Sequence, residues 1–461
     1  MNLLKVVAAK QWGSDTNMLL KLYRILVRSK LDYGCIVYGS TRKSYLQMLD
    51  PIQNQALRIS LGAFRTSPIE SLEVEANEMP LAVRRQKLAI HFLLKIKANP
   101  SHPVAICVAN QLHKNMFDRK INIIAPFGIR MERLVTMLGM STESIAENIL
   151  PATPPFSLLR PNVDLSLHNG SKKDETSMIH LIKYIEFIQD KKDYALLFTD
   201  GSKDTTGVSS AAVSGTTTLT CRLPNDSSIF TAEAQAIILA LKLIEESNNH
   251  KFYIISDSLS SLQAILNMKI NNLQILKILE TYKEMRQNNK LIKFCWVPSH
   301  VGIEGNEAAD TAATTGLNQP IDETIRIPYS DLKSRVRQYF HELLQSKWNT
   351  AQFNKLRTIK YYLGKTKFNT ITSRRDEIVL HRIRIGHTHL THSYLLNRED
   401  APECPQCLCL LTVEHILIQC PTYTSIRKRF FNTNNMYDLF MKTPYANVVG
   451  FLKETQLYSK I

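Results

Sequence analysis

The 461-residue sequence has no long apolar run and little glycine or proline, 16 and 18 residues respectively. No span approaches the roughly 18 consecutive apolar residues of a membrane-crossing helix. The first twelve residues hold only a short Val-Val-Ala-Ala run before Lys10, too brief for a secretory core. An intracellular protein of nucleus or cytoplasm, with no membrane partner, is expected. The low glycine and proline content excludes collagen-like or low-complexity composition. What is present, 44% apolar and 21% charged residues, excludes a wholly disordered chain and is enough for two to four domains with buried cores.

Charge is unevenly spread. Residues 1–190 carry 24 basic and 16 acidic side chains, a net of +8; residues 191–320 carry 12 and 13, a net of −1; residues 321–461 carry 21 and 12, a net of +9. Two basic flanks around a nearly neutral centre suit a polyanion held by the flanks and worked on by carboxylates between them, although solubility alone would account for such charge.

Residues 16–31, 42–61 and 81–97 show helical spacing with interleaved basic residues. Pro151, Pro154, Pro155 and Pro161, followed by a polar stretch at 169–175, predict a linker. The texture then changes. Short apolar or β-branched runs at 194–199, 208–214, 217–223, 252–256 and 291–297 predict five strands, with helices at 231–246, from 259, at 273–287 and at 307–315. The expected organisation is therefore 1–150 helical, 151–190 linker, 191–320 an α/β domain, and 321–461 a basic C-terminal segment.

Four acids fall at strand ends or helix starts in that α/β region: Asp200, Glu233, Asp257 and Asp310. Such positions converge on one edge of an α/β sheet, where these folds place ligands. Singly, an Asp after a strand is usually a turn former and a Glu early in a helix a dipole partner. Four carboxylates together repel one another unless divalent cations neutralise them, and hard oxygen donors suit Mg²⁺ or Mn²⁺. Two such ions about 4 Å apart activate water and stabilise the leaving oxygen of a phosphodiester. His300, ten residues before Asp310, could carry the proton, since imidazole titrates near neutrality.

The words around these acids are Phe198-Thr-Asp-Gly-Ser-Lys203, Thr231-Ala-Glu-Ala-Gln-Ala236, Ser256-Asp-Ser258 and Trp296-Val-Pro-Ser-His-Val-Gly-Ile-Glu-Gly-Asn-Glu-Ala-Ala-Asp310. In order and together they resemble the ribonuclease H type 1 family. The resemblance implies a five-stranded mixed sheet with flanking helices. It implies an endonuclease, a hydrolase of the RNA strand in RNA–DNA hybrids, with Asp200, Glu233, Asp257 and Asp310 on two Mg²⁺ or Mn²⁺ ions and His300 assisting turnover. Gly201, Ser202, Ser258 and Asn306 would contact substrate. A basic substrate-gripping insertion at 270–290 is missing, so the flanks are expected to hold the nucleic acid.

The C-terminal segment crowds Cys404, Cys407, Cys409 and Cys420 into 17 positions. Without a secretory signal this reads as metal binding before disulfides. Cys404, Cys407, His415 and Cys420 have the spacing of a knuckle-like structural Zn²⁺ site; a loop of reduced cysteines is the alternative. Arg374, Arg375, Arg382 and Arg384 suggest a nucleic-acid surface, whereas His381, His387, His389 and His392 are expected to pack or touch phosphate. Cys35, Cys107, Cys221 and Cys295 read as small buried apolar residues.

Ser29-Lys-Leu-Asp-Tyr-Gly-Cys-Ile-Val-Tyr-Gly39, Ile52-Gln-Asn-Gln-Ala-Leu-Arg58, Arg384-Ile-Gly-His-Thr-His-Leu-Thr-His392 and Val413-Glu-His-Ile-Leu417, with the nuclease words between them, resemble the C-terminal part of a Jockey-like non-LTR retrotransposon polyprotein. Residues 1–150 would then include the helical tail of a reverse transcriptase. No two adjacent aspartates occur, so the polymerase signature is absent and no DNA synthesis is expected. The rival reading is a nucleic-acid-binding remnant whose carboxylate site is unused.

Overall fold

The computed structural model describes residues 1–110, 112–120, 123–147, 154–168, 176–366 and 373–461. The chain divides into two compact units: residues 1–90, 113–127 and 337–461 form one, and residues 91–112 and 128–336 form the other.

The second unit is built on a six-stranded mixed sheet in the order β1-β6-β5-β2-β3-β4. Its elements run β1 (Asn162–Asp164), α1 (Ser177–Gln189), β2 (Ala195–Lys203), β3 (Val208–Ser214), β4 (Thr217–Leu223), α2 (Ile229–Glu246), β5 (Lys251–Ser256), α3 (Leu259–Leu266), α4 (Leu273–Gln287), β6 (Leu291–Trp296) and α5 (Glu304–Gly316). β2, β3 and β4 are antiparallel neighbours, while β5 and β6 continue from β2 in parallel. The β3–β4 hairpin turns in two residues, with Gly215 at φ +58° at the first central position, the conformation that a primed hairpin turn demands.

The α/β reading and its strand–helix order stand, with one addition. Residues 162–164, within the segment read as a linker, add a sixth strand parallel to β6, and residues 177–189 form α1. A three-residue edge strand leaves almost no alternation to detect.

Two helices explain how the sheet is covered. α2 is alanine-rich and buried on nearly every side: Ala232, Ala234, Ala236 and Ala240 are inaccessible, which lets its backbone lie close to the sheet. Ser228 caps it by accepting from the Thr231 amide, and Asp331 accepts from both the Ser228 amide and the Thr231 hydroxyl. Ile237, Leu241 and Ile244 join Phe252, Ile254 and Phe294 in the core, each worth about 1.5–3 kcal/mol on burial. α5 uses the same device on the opposite face. A Cβ on Gly305 would lie 2.2 Å from the Phe198 ring, so glycine sets that approach.

The other unit joins distant parts of the chain. Helices Thr16–Leu22, Asp50–Leu61 and Ile69–Ala76 bury Leu19, Leu57, Leu61 and Leu72 together with Ile385 of helix Arg374–Ile385. Gly62, at φ +60°, ends Asp50–Leu61, and a Cβ there would fall 2.3 Å from the Ile378 side chain. Arg374 donates to the carbonyls of Ser60 (2.7 Å) and Ile59 (3.1 Å), satisfying the end of that helix. At the centre, the wholly buried Glu75 carboxylate accepts from Arg384 Nε at 2.7 Å, pairs with His381 Nδ1 at 3.0 Å and lies 4.0 Å from Lys360 Nζ. Burial alone would raise the Glu75 carboxyl, but Arg384 and His381 overcome it and hold it well below the usual carboxylate range. Burial also lowers Lys360 to about 8, partly offset by Glu75.

These bonds correct the reading of the arginine cluster. Arg374 and Arg384 are buried internal ligands, not a nucleic-acid surface, and Arg382 donates to the main-chain oxygens of Gly62 and Ile461. The histidines pack, as expected: the His387 and His392 rings stack at 3.7 Å, and His389 meets Phe64 edge-on. Of the four isolated cysteines, Cys107 is exposed rather than buried.

Candidate active site

Sequence order becomes spatial convergence at the C-terminal ends of β2 and β5. Asp200 lies within β2, opposite Ala211 of β3 and three residues before the strand's end rather than at a strand end as expected, and is 7% exposed; Glu233 sits in the first turns of α2 at 8%; Asp257 immediately follows β5. One carboxylate oxygen from each lies within 4.8 Å of the others. The approach of α2 depends on Gly201, whose added Cβ would stand 2.7 Å from the Glu233 backbone nitrogen. The glycine beside Asp200 therefore has a packing duty within the site. The indole of Trp296 donates to the Asp257 carbonyl at 3.0 Å, holding the turn that presents this acid.

The electrostatics show what the cluster lacks. Burial first, then Asp257 and Asp310, raises the Asp200 carboxyl to about 7. Burial, then Asp200 and Asp257, pushes Glu233 well above its ordinary value. Glu233 Oε2 is buried without a hydrogen-bond partner among the described residues. An orphaned buried acceptor facing repelling carboxylates is a donor set that divalent cations complete.

Asp310 lies in α5, 39% exposed at its side chain, next to a second group. His300 Nδ1 is 3.9 Å from Asp310 Oδ2 and 4.0 Å from Glu307 Oε2, and these three side chains also form a tight cluster. His300 takes φ +55° and Gly302 φ +87°, so a left-handed turn projects an exposed imidazole beside the acids. The Gly302 amide donates to Glu307 Oε1 at 3.4 Å. Glu307 is absent from the expected site. The Glu-x-x-Asp spacing within α5 was its signal, because residues three apart share a helix face.

The expected substrate-binding residues are spread. Ser258 is 9% exposed and donates to Ser261, while Asn306 is 2% exposed with an Oδ1 that has no partner among the described residues. Ser202 lies next to Gly201 near the end of β2 and is partly exposed.

Residues 192–318 match the family model described as RNase H. This unit has the ribonuclease H fold. No curated protein matches the chain. Among solved structures, a foamy viral protease-reverse transcriptase in complex with dsDNA aligns with 27% of this chain and 94% of its own, at 17% identity and a TM-score of 0.23. No helix among the described residues is long and apolar enough to cross a membrane.

Outside the RNase H fold, Cys404, Cys407, His415 and Cys420 gather with their donor atoms within 4.8 Å. Cys404 Sγ is 3.8 Å and Cys407 Sγ 4.0 Å from Cys420 Sγ. A tetrahedron with Zn–S arms of about 2.3 Å has edges of about 3.8 Å, whereas a disulfide brings sulfurs to about 2.05 Å. Hydrogen bonding, first from His415, draws the Cys404 thiol down to about 6. Arg427 donates to the Cys420 carbonyl at 2.9 Å and steadies that ligand's backbone. Cys409 stays outside the four, 3.5 Å from His415 Nδ1.

Proposed function

We propose that the RNase H unit is an endonuclease that hydrolyses the RNA strand of RNA–DNA hybrids. The convergence of Asp200, Glu233 and Asp257 within 4.8 Å, with Glu233 Oε2 unsatisfied among the described residues, carries this reading. Two Mg²⁺ or Mn²⁺ ions held there would supply an activated water and charge stabilisation for the leaving oxygen. Asp200 and Asp257 would hold them from the sheet side, with Glu233 from α2 and Asp310 from α5. Because Asp200 and Glu233 favour the protonated form when the acids stand alone, cation binding releases protons and strengthens as pH rises toward and through about 7. His300, exposed and beside Asp310 and Glu307, takes up and returns a proton at an imidazole nitrogen. Gly201, Ser202, Ser258 and Asn306 are assigned to the hybrid's backbone.

The decisive experiment is gel-resolved cleavage of an end-labelled RNA strand annealed to DNA. Cutting with Mg²⁺ and none with EDTA is expected. Hybrid binding without cutting by a folded protein would leave the unused binding module as the correct description.

We further assign the chain to a retrotransposon polyprotein of the Jockey-like type, lacking polymerase activity. Support comes from the four flanking motifs, all of which fall in the first unit, and from the missing Asp-Asp pair. The same unit is assigned a structural Zn²⁺ on Cys404, Cys407, His415 and Cys420. Elemental analysis of the purified chain should return one zinc per chain, and a Cys420→Ser protein should lose it. A wild-type chain purified in zinc-containing medium without stoichiometric metal would overturn the assignment.

A further inference from the structure

With Arg374 and Arg384 occupied internally, the basic C-terminal segment has its accessible cations elsewhere. A groove of about 640 Å³ opens between residues 359–366 and the helix Met436–Lys442 with the turn that follows it. Its walls combine aromatic rings and lysines. Tyr361 and Tyr437 meet with ring centres 5.0 Å apart and planes tilted by 41°. Tyr362 is 79% exposed, an aromatic ring that the fold leaves in solvent. Lys365 and Lys442 are exposed along the same groove, and Thr366 adds a hydroxyl that accepts from Lys360. Among the described residues lining it, none is acidic. Asp438, on the same helix, pairs with Lys442 at 2.8 Å but is not part of the lining.

Exposed rings need a flat apolar partner, Lys365 stands exposed beside a wall without described acids, and Lys442 can exchange its surface pairing with Asp438 for a phosphate. A strand of unpaired nucleotides offers both at each step, because every base has a π-face and every linkage a phosphate. A duplex keeps its bases stacked inside and cannot use the tyrosines. We propose that this groove binds single-stranded nucleic acid, with bases stacked on Tyr361 and Tyr362 and phosphates facing Lys365 and Lys442. The site uses no residue of the carboxylate cluster, so it stands or falls separately from the nuclease reading.

The test is fluorescence anisotropy with the full chain in EDTA, which prevents metal-dependent cutting, and labelled oligonucleotides of about twelve nucleotides. Single-stranded DNA, single-stranded RNA and an RNA–DNA hybrid form three arms. Stacking on one aromatic is abolished by substitution with alanine, so Tyr362→Ala should weaken single-strand binding roughly 5- to 150-fold. Tyr362→Phe should bind as the wild type does. Removing both lysines (Lys365→Ala, Lys442→Ala) should flatten the dependence of log affinity on log salt by roughly 0.7 for each phosphate that is no longer neutralised. The exposure of Tyr362 means its removal spares the fold, which a circular dichroism melt verifies. The DNA and RNA arms distinguish which strand the groove prefers. Unchanged single-strand affinity in Tyr362→Ala overturns the proposal, as does an equal weakening of hybrid binding, which would mean general electrostatics rather than stacking.

Discussion

An Asp257→Asn protein is expected to lose Mg²⁺-dependent cleavage of a hybrid by about 10³-fold or more while still binding the hybrid. Removing one member of a preorganised catalytic set acts on that scale. The substitution keeps the shape of a side chain that follows β5 and leaves the Trp296 bond to its backbone carbonyl in place, so the missing cleavage cannot be laid to damaged architecture. A pH-dependent change in stability accompanies it. In the folded, metal-free chain Asp200 titrates near 7, far above an unfolded aspartate near 4. The folded state therefore binds more protons than the unfolded one across that window, and stability is lost as pH rises from about 4 through 7. Asp257 is the largest charge behind this shift after burial itself. Thermal melts in EDTA should thus fall between pH 5 and 7.5 for the wild type and fall less for Asp257→Asn; Mg²⁺ should restore the wild type at the higher pH. Full cleavage by the variant would sink the assignment of this carboxylate.

The second large effect concerns Glu75→Ala. Arg384 and His381 would be left wholly buried without their carboxylate, and Lys360 without its nearest counter-charge. Breaking a buried ionic cluster from one side typically costs about 3–5 kcal/mol. Urea unfolding followed by Trp348, which lies within the same unit and donates to the Lys360 carbonyl at 2.7 Å, should show an early transition. A midpoint unchanged from wild type would mean that water reaches these cations and the network is not sealed.

How far the sequence foretold this protein follows from the range of its interactions. Strands β2 to β6 and helix α2 are written locally as short apolar runs and an alanine-rich stretch, and Asp257 as the acid that follows such a run, whereas β2 continues three residues beyond Asp200. β1 escaped because three residues carry no period. Glu307 was within view in its Glu-x-x-Asp pair, but only the left-handed turn at His300 shows which acid faces the imidazole. Arg374 and Arg384 were misread for a different reason. A run of basic residues in a helix looks solvated until its partners appear, and here those partners, Glu75, Ile59 and Ser60, lie some 300 positions away. Nothing in either stretch of sequence names the other.

That long reach sets a timetable for synthesis. The RNase H unit occupies the middle of the chain and can close as soon as residue 336 has left the ribosome, whereas the first 90 residues must wait for helix Arg374–Ile385. At 5–20 residues per second the interval is roughly 15–60 s. During it Leu19, Leu57, Leu61 and Leu72 lack Ile385, and Glu75 has no counter-ion. The newborn N-terminal segment thus keeps apolar side chains without their late partner throughout that interval, and a ribosome halted just past residue 336 would carry a closed RNase H fold tethered to an unfinished unit.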